Sequence, residues 1–266
     1  MIGRNHFIAS AAATLGVLEV LGDARAPLSL GAIVEATRRP KGSVHRMLAT
    51  LVNTGFVIQD AETARYALTV KLWRLGMGAV TDLDVVKTAR PWLERLVAAT
   101  DETVHLAVLD PAGSLIYISK VESPRSIRVQ TLIGQLNPAW CTATGRSMLA
   151  FDAAMVEQVL ALPLTPRTPK TVTDPKKIRA ALTDVAAKGY AVTKSENHLE
   201  LGGIAAPIRN HAGEVVASCG VGIPAFRMDR ALIDDCIPHV LRTAEAISAG
   251  LGYHRETDKR KRPNGT

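Results

Sequence analysis

Apolar residues recur at helical spacing over the N-terminal part of the chain, and then the period changes. Between Ser10 and Leu21 the spacing predicts a helix with Leu15, Leu18 and either Val17 or Leu21 on its inner side. Gly22-Asp23-Ala24-Arg25-Ala26-Pro27 breaks it, and Ser29 reads as the N-cap of a short second helix that buries Leu30, Ile33 and Val34. Arg38-Arg39-Pro40 predicts a turn, because the residue before a proline is pushed out of the helical region. A third helix is predicted from Lys41 to Asn53. There Val44, Met47, Leu48 and Leu51 fall at i, i+3, i+4 and i+7, and Gly55 follows as terminator. Phe56-Val57-Ile58 and Tyr66-Ala67-Leu68 then read as short strands joined by the polar Asp60-Ala61-Glu62-Thr63. Three short helices followed by a hairpin is the order of a winged helix-turn-helix.

The pattern beyond this point predicts a second domain. A linking helix spans Lys71 to about Val80, with Gly76 and Gly78 a weak point near its end. Asp84 to Thr100 is amphipathic despite Pro91, with Val85, Ala89, Trp92, Leu93, Leu96 and Val97 inward. Strands are predicted at Thr103–Leu109, Leu115–Val121 and Ile127–Ile133, the first two joined by the turn Asp110-Pro111-Ala112-Gly113. Ala143–Phe151 and Ala153–Leu162 read as helices. After a Pro/Thr-rich loop, Thr173 or Asp174 caps a helix opened by Pro175 and stopped at Gly189. Gly203–Asn210 and Glu214–Gly222 form a second hairpin, and a last helix runs from about Asp229 to Leu251. Strands flanked by helices without strict βαβ alternation indicate an α+β fold. The expected organisation is a winged domain over 1–70, a linker helix over 71–82, a second domain over 83–252 and a basic, disordered tail over 253–266.

Composition narrows the function classes. The 266 residues suffice for two domains, and 47% hydrophobic with 21% charged residues is ordinary for a soluble protein. No apolar run approaches the ~20 residues of a membrane helix, and Ser10, Thr14 and Glu19 interrupt the early apolar stretch, so neither a membrane span nor a signal peptide is expected. A cytoplasmic protein is the resulting expectation. The formal charge of +7 suits a polyanionic partner, although Lys259-Arg260-Lys261-Arg262 supplies part of it. Cys141, Cys219 and Cys236 are odd in number and widely spaced, which indicates neither a disulfide frame nor a metal site. No cofactor is implied. The sequence has no G-x-S-x-G elbow and no phosphate-cradling loop, and His105 in a strand-like run reads as packing, so an enzyme is not expected.

Five stretches in order resemble the IclR family of regulators. They are Pro40-Lys41-Gly42-Ser43-Val44-His45-Arg46-Met47-Leu48-Ala49-Thr50-Leu51, Glu102-Thr103-Val104-His105-Leu106-Ala107-Val108, Thr142-Ala143-Thr144-Gly145-Arg146-Ser147-Met148-Leu149-Ala150-Phe151, Leu164-Thr165-Pro166-Arg167-Thr168 and Gly203-Ile204-Ala205-Ala206-Pro207-Ile208. The resemblance implies a winged helix-turn-helix, a GAF-like effector domain, operator DNA and a small organic acid as partners, and a homo-oligomer built from dimers.

A reading helix needs polar groups that reach base edges and cations placed for phosphates. Arg38, Arg39, Lys41, Gly42, Ser43, His45, Arg46 and Thr50 fit that requirement, with Arg65 and Thr63 on the wing. Arg46 suits guanine and the Thr50 methyl suits thymine. No acidic residue occurs from Ala36 to Gln59. Arg38 stands where the family usually has a turn glycine, and Arg39 where it has an apolar residue.

For the effector, the resemblance makes Trp140, Thr142, Ala143, Thr144 and Gly145 one wall of a pocket, at a helix start whose free amides attract anions. The opposite wall is expected from Leu201, Gly203, Gly220 and Gly222, with Thr193 nearby. The resemblance implies that several relatives carry Cys at the Gly203 position and Ser at those of Gly220 and Gly222. Three missing side chains therefore predict a roomier, less polar pocket suited to an aromatic or otherwise bulky carboxylate. Asn197 and His198 are read as loop contacts or bystanders, and Glu200 as a group opposing an anion if it faces inward.

Overall fold

The reading helix owes its position to the turn before it. In the computed structural model, which describes residues 8–24, 26–81 and 84–253, α1 (Ala9–Asp23), α2 (Leu30–Thr37) and α3 (Lys41–Asn53) pack around Val17, Leu21, Ile33, Val44, Leu48 and Leu51. The Ser29 hydroxyl caps α2 by accepting from the Ala32 amide at 3.2 Å. Arg38 ends α2 in the left-handed conformation (φ 51°, ψ 38°), and Pro40 then opens α3. That conformation disfavours a residue with a Cβ by roughly 1–2 kcal/mol, part of which a glycine returns as unfolded-chain entropy. Arg38→Gly is therefore expected to stabilise the N-terminal unit by about 0.5–1 kcal/mol, read as a later midpoint in urea denaturation of the full chain. An unchanged or earlier midpoint contradicts the strain.

The wing is a minimal hairpin. β1 (Val57–Gln59) pairs antiparallel with β2 (Tyr66–Leu68), and Leu28 bridges to Tyr66. Asp60 organises its tip by accepting from the Thr63 amide and hydroxyl, both at 2.7 Å. These bonds hold the exposed Asp60 carboxyl below its ordinary range. α4 (Val70–Thr81) completes the unit Met1–Asp82, and the second unit is Leu83–Thr266.

In the second unit a six-stranded antiparallel sheet has the order β5-β4-β3-β8-β7-β6. Its strands are β3 (Thr103–Leu109), β4 (Ser114–Val121), β5 (Leu136–Pro138), β6 (Ala191–Lys194), β7 (Leu201–Arg209) and β8 (Val215–Pro224). α5 (Asp84–Thr100) and α9 (Arg230–Gly250) bury Leu93, Leu96, Val240 and Ile247 against Val104, Leu106, Cys219 and Ile223 on one face. α6 (Ala143–Leu149), α7 (Ala153–Leu160) and α8 (Pro175–Lys188) cover the other, where Leu115, Trp140, Leu149 and Ile178 form a second core. Asp174 caps α8, Asp229 caps α9, and Gly189 stops α8 with φ 79°.

Two sequence expectations change. Ile127–Ile133 forms no strand: β5 already occupies the outer edge of β4, so the segment crosses the sheet as a strap. Its carbonyls find side-chain donors instead, Thr103 Oγ1 to Val129 O at 3.2 Å and Lys120 Nζ to Thr131 O at 3.2 Å. Ile127 and Ile133 consequently stay more than half exposed. Conversely, Leu136–Pro138 and Ala191–Lys194 are edge strands that the pattern did not predict. The N-terminal hexapeptide and the basic Lys259–Arg262 tail lie outside the described residues.

Candidate DNA-reading face and ligand cavity

Helix α3 presents its two faces to different surroundings. Val44, Leu48 and Leu51 are buried, while Lys41, Gly42, His45, Arg46, Ala49 and Thr50 are exposed and Ser43 is half-buried. Arg38 and Arg39 lie exposed in the preceding turn, and among the described residues neither they nor Lys41 and Arg46 join an ion pair. The Thr50 hydroxyl donates to the Arg46 carbonyl at 3.0 Å, which commits its polar atom to the helix. The two wing residues are engaged differently. Thr63 is tied to Asp60, and Arg65 Nη1 donates to the Pro27 carbonyl at 3.1 Å, bracing the wing against the α1–α2 connection.

The second unit holds a cavity of about 110 Å³ between strap, sheet and the start of α6. Of the expected lining, Thr142, Ala143, Thr144, Thr193, Leu201, Gly203, Gly220 and Gly222 meet there. Trp140 and Gly145 do not. The Trp140 ring packs in the second core, and its carbonyl accepts from Arg146 Nε at 2.8 Å. Gly145 lies against the Ala139 backbone, where a Cβ would come within 2.2 Å of the carbonyl oxygen. Its amide is also taken by the Thr142 hydroxyl at 3.2 Å, so it is no free donor for an anion. Glu200 is exposed and not part of the lining.

Residues that the sequence did not single out complete the cavity. His105 and Tyr117 project from β3 and β4 with ring centroids 4.8 Å apart, and Val129, Gln130, Thr131, Leu132 and Gln135 come from the strap. Asn137, Asn197 and His198 also line it, so the last two are not bystanders to the cavity. Burial, with the Lys120 charge second, pushes the His105 imidazole down to about 4, so it is neutral at physiological pH and hydrogen-bonds the Thr131 hydroxyl. Among the lining residues there is no Lys, Arg, Asp or Glu.

Several contacts fix these walls. Ser147 Oγ and Ser218 Oγ lie 2.6 Å apart and pin α6 to β8. Arg146 grips Glu196 with two bonds of 2.8 and 2.5 Å, and Thr168 and Thr171 hydroxyls donate to the Ser195 and Glu196 carbonyls at 2.6 Å each. Together they hold the loop that brings Asn197 and His198 to the cavity.

The glycines do not all enlarge it. A Cβ on Gly220 would meet the Ile204 carbonyl at 2.4 Å and the Ala205 Cβ at 2.6 Å, so this glycine serves the close pairing of β7 with β8. A Cβ on Gly222 would meet His105 Cε1 at 2.9 Å; the imidazole already fills that space. At Gly203 the nearest atoms are the Val221 carbonyl at 3.1 Å and Ala143 Cβ at 3.5 Å, so a side chain needs a shift of only a few tenths of an ångström. Gly220→Ser is accordingly expected to destabilise the chain by about 1–3 kcal/mol by overpacking, and Gly203→Cys by less than ~1 kcal/mol. Equal urea midpoints for the two variants would refute this assignment.

Cys141 borders the cavity, and burial pushes its thiol up to about 12. Among the described residues no group of His, Cys, Asp and Glu could hold a metal ion, and no helix is long and apolar enough to cross a membrane.

Comparison with known proteins agrees with this architecture. The family model described as the IclR helix-turn-helix domain matches residues 10–61, and the one described as bacterial transcriptional regulator IclR C-terminal matches 77–249. The HTH-type transcriptional regulator KdgR of Escherichia coli (strain K12) is 30% identical over 249 residues, 93% of this chain and 94% of that protein. The crystal structure of an IclR transcriptional regulator from Alicyclobacillus acidocaldarius superposes with a TM-score of 0.80 at 28% identity, covering 92% of this chain and 99% of that one. An IclR homologue from Microbacterium hydrocarbonoxydans, solved in complex with 4-hydroxybenzoate, shares the fold with a TM-score of 0.79 at 24% identity, over 91% and 99% of the chains.

A helix-turn-helix joined in one chain to an α+β, GAF-like effector domain defines a DNA-binding transcription regulator rather than an enzyme. The chain belongs to the IclR family of bacterial transcriptional regulators.

Proposed function

We propose that this regulator controls a catabolic operon in response to a small organic acid, an aromatic one among the candidates, bound in the cavity of its second unit. The observation that carries the reading is the cavity itself: about 110 Å³, walled by amides, hydroxyls and apolar groups. An apolar cavity of about 150 Å³ holds a benzene ring, so a space of about 110 Å³ suits a short chain as it stands, takes a single ring only if its walls give, and takes no fused system. The support for an aromatic ligand is the His105–Tyr117 ring pair in the wall and the 4-hydroxybenzoate held by a protein of the same fold. Missing side chains at Gly220 and Gly222 no longer argue for it.

Operator contacts are assigned to Arg38, Arg39, Lys41, Gly42, Ser43, His45, Arg46 and Thr50, with Arg65 bracing the wing. The chain acts as a dimer or a dimer of dimers, because a two-fold operator with half-sites about 34 Å apart needs a two-fold reader. The acid favours one arrangement of that oligomer, which is a shift of population rather than a new contact with DNA.

Footprinting on the promoter region adjoining the gene, with acids added in turn, tests the reading. A protected, two-fold site whose affinity changes with an acid supports it. Binding should weaken with salt at a log–log slope of about −0.9 per phosphate neutralised. A salt-insensitive complex, or one indifferent to every acid, sinks it.

A further inference from the structure

We infer that Tyr117 and Thr144 decide which acid the cavity accepts, by holding an uncharged oxygen of the ligand, a hydroxyl or a carbonyl, apart from its carboxylate. The effector class is thereby narrowed to hydroxy and oxo acids. The inference rests on the acid-effector reading above and deepens it.

Thr144 lies in the first turn of α6 and is 6% exposed, yet its hydroxyl has no hydrogen-bond partner. A buried hydroxyl without a partner is penalised, and native structures retain few of them unless a ligand or water completes the pair. Two other threonine hydroxyls at the cavity show the contrast: Thr142 donates to the Pro138 carbonyl at 3.1 Å, and Thr131 pairs with His105. The Tyr117 phenol leans toward Thr144 without closing a well-formed bond with it. Burial raises the phenol above its ordinary range, so it stays protonated and able to donate. Two neutral O–H groups thus neighbour each other in a wall without Lys, Arg, Asp or Glu. Each hydroxyl donates and accepts, which suits a ligand hydroxyl or carbonyl better than an isolated carboxylate. A site built to pair a ligand oxygen discriminates against the analogue that lacks it, because its own polar groups are then left stranded.

The test uses the full-length protein and matched pairs of acids: benzoate with 4-hydroxybenzoate, phenylacetate with 4-hydroxyphenylacetate, and butyrate with 3-hydroxybutyrate and 2-oxobutyrate. Calorimetry should show at least one oxygenated acid binding roughly 5- to 150-fold tighter than its parent. Thr144→Val and Tyr117→Phe should each erase that preference, so that within either variant the oxygenated acid binds no tighter than its parent. Thr144→Val should also melt no lower than the wild type, since it removes an unpaired hydroxyl rather than a bond. A marked fall in its melting temperature overturns the assignment, as does a preference that survives both substitutions. If parents and oxygenated acids bind equally, this proposal alone fails. If no acid binds, the acid-effector reading fails and takes this one with it.

Discussion

Arg46→Ala is expected to weaken operator binding by about 1–3 kcal/mol, roughly 5- to 150-fold, without loss of fold. The fold is spared because Arg46 sits on the exposed side of α3, opposite Val44, Leu48 and Leu51, and pairs with no acid among the described residues. The loss is large because a guanidinium can donate two parallel bonds to guanine, which lysine cannot reproduce. Lys41→Ala is the informative comparison. A phosphate contact should weaken all sequences alike and reduce the salt slope by about 1, whereas Arg46→Ala should relax the preference at a single base pair. Footprinting titrations on operators varied at each position distinguish these outcomes. Undiminished affinity for Arg46→Ala would show that the reading face lies elsewhere.

How far this was legible in the sequence depended on what each segment packs against. Helix α3 declared both ends, because Pro40 and Gly55 are local signals that need no tertiary context. The strap did not. Ile127, Val129, Thr131 and Ile133 alternate as in a strand, but whether alternation becomes a strand depends on a free sheet edge, and β5 takes the one beside β4. β6 escaped notice for the opposite reason: its four residues are too few for a period, and only pairing with β7 makes them a strand.

The cavity was half legible for similar causes. Thr142–Thr144 and the β7–β8 glycines lie in recognisable stretches. His105 and Tyr117 look like strand residues of a core, and only the strap passing over them turns their faces into a wall. The glycines misled because an absent side chain reads as empty space, although His105 and the β7 backbone already occupy that space at Gly222 and Gly220.

The cavity's support is expected to fail most severely at Arg146. Its side chain is 6% exposed and Glu196 is 12% exposed, and their two parallel bonds take the pair out of water together. Arg146→Met leaves a buried carboxylate without its cation and the Trp140 carbonyl without its donor. Breaking a buried pair from one side typically destabilises by about 3–5 kcal/mol, whereas replacing both partners by apolar groups is often nearly neutral. In urea denaturation the single variant should therefore lose about 3–5 kcal/mol, and Arg146→Met with Glu196→Met should recover most of it. Recovery of stability need not restore ligand binding. The Arg146–Glu196 pair also holds the loop from Ser195 onward, which carries Asn197 and His198 to the cavity mouth. The double variant is expected to fold yet to show faster amide exchange over 195–198 and weaker binding of any acid the wild type accepts. A loss below ~1 kcal/mol in the single variant would show that water reaches Glu196 and that the pair is a surface contact.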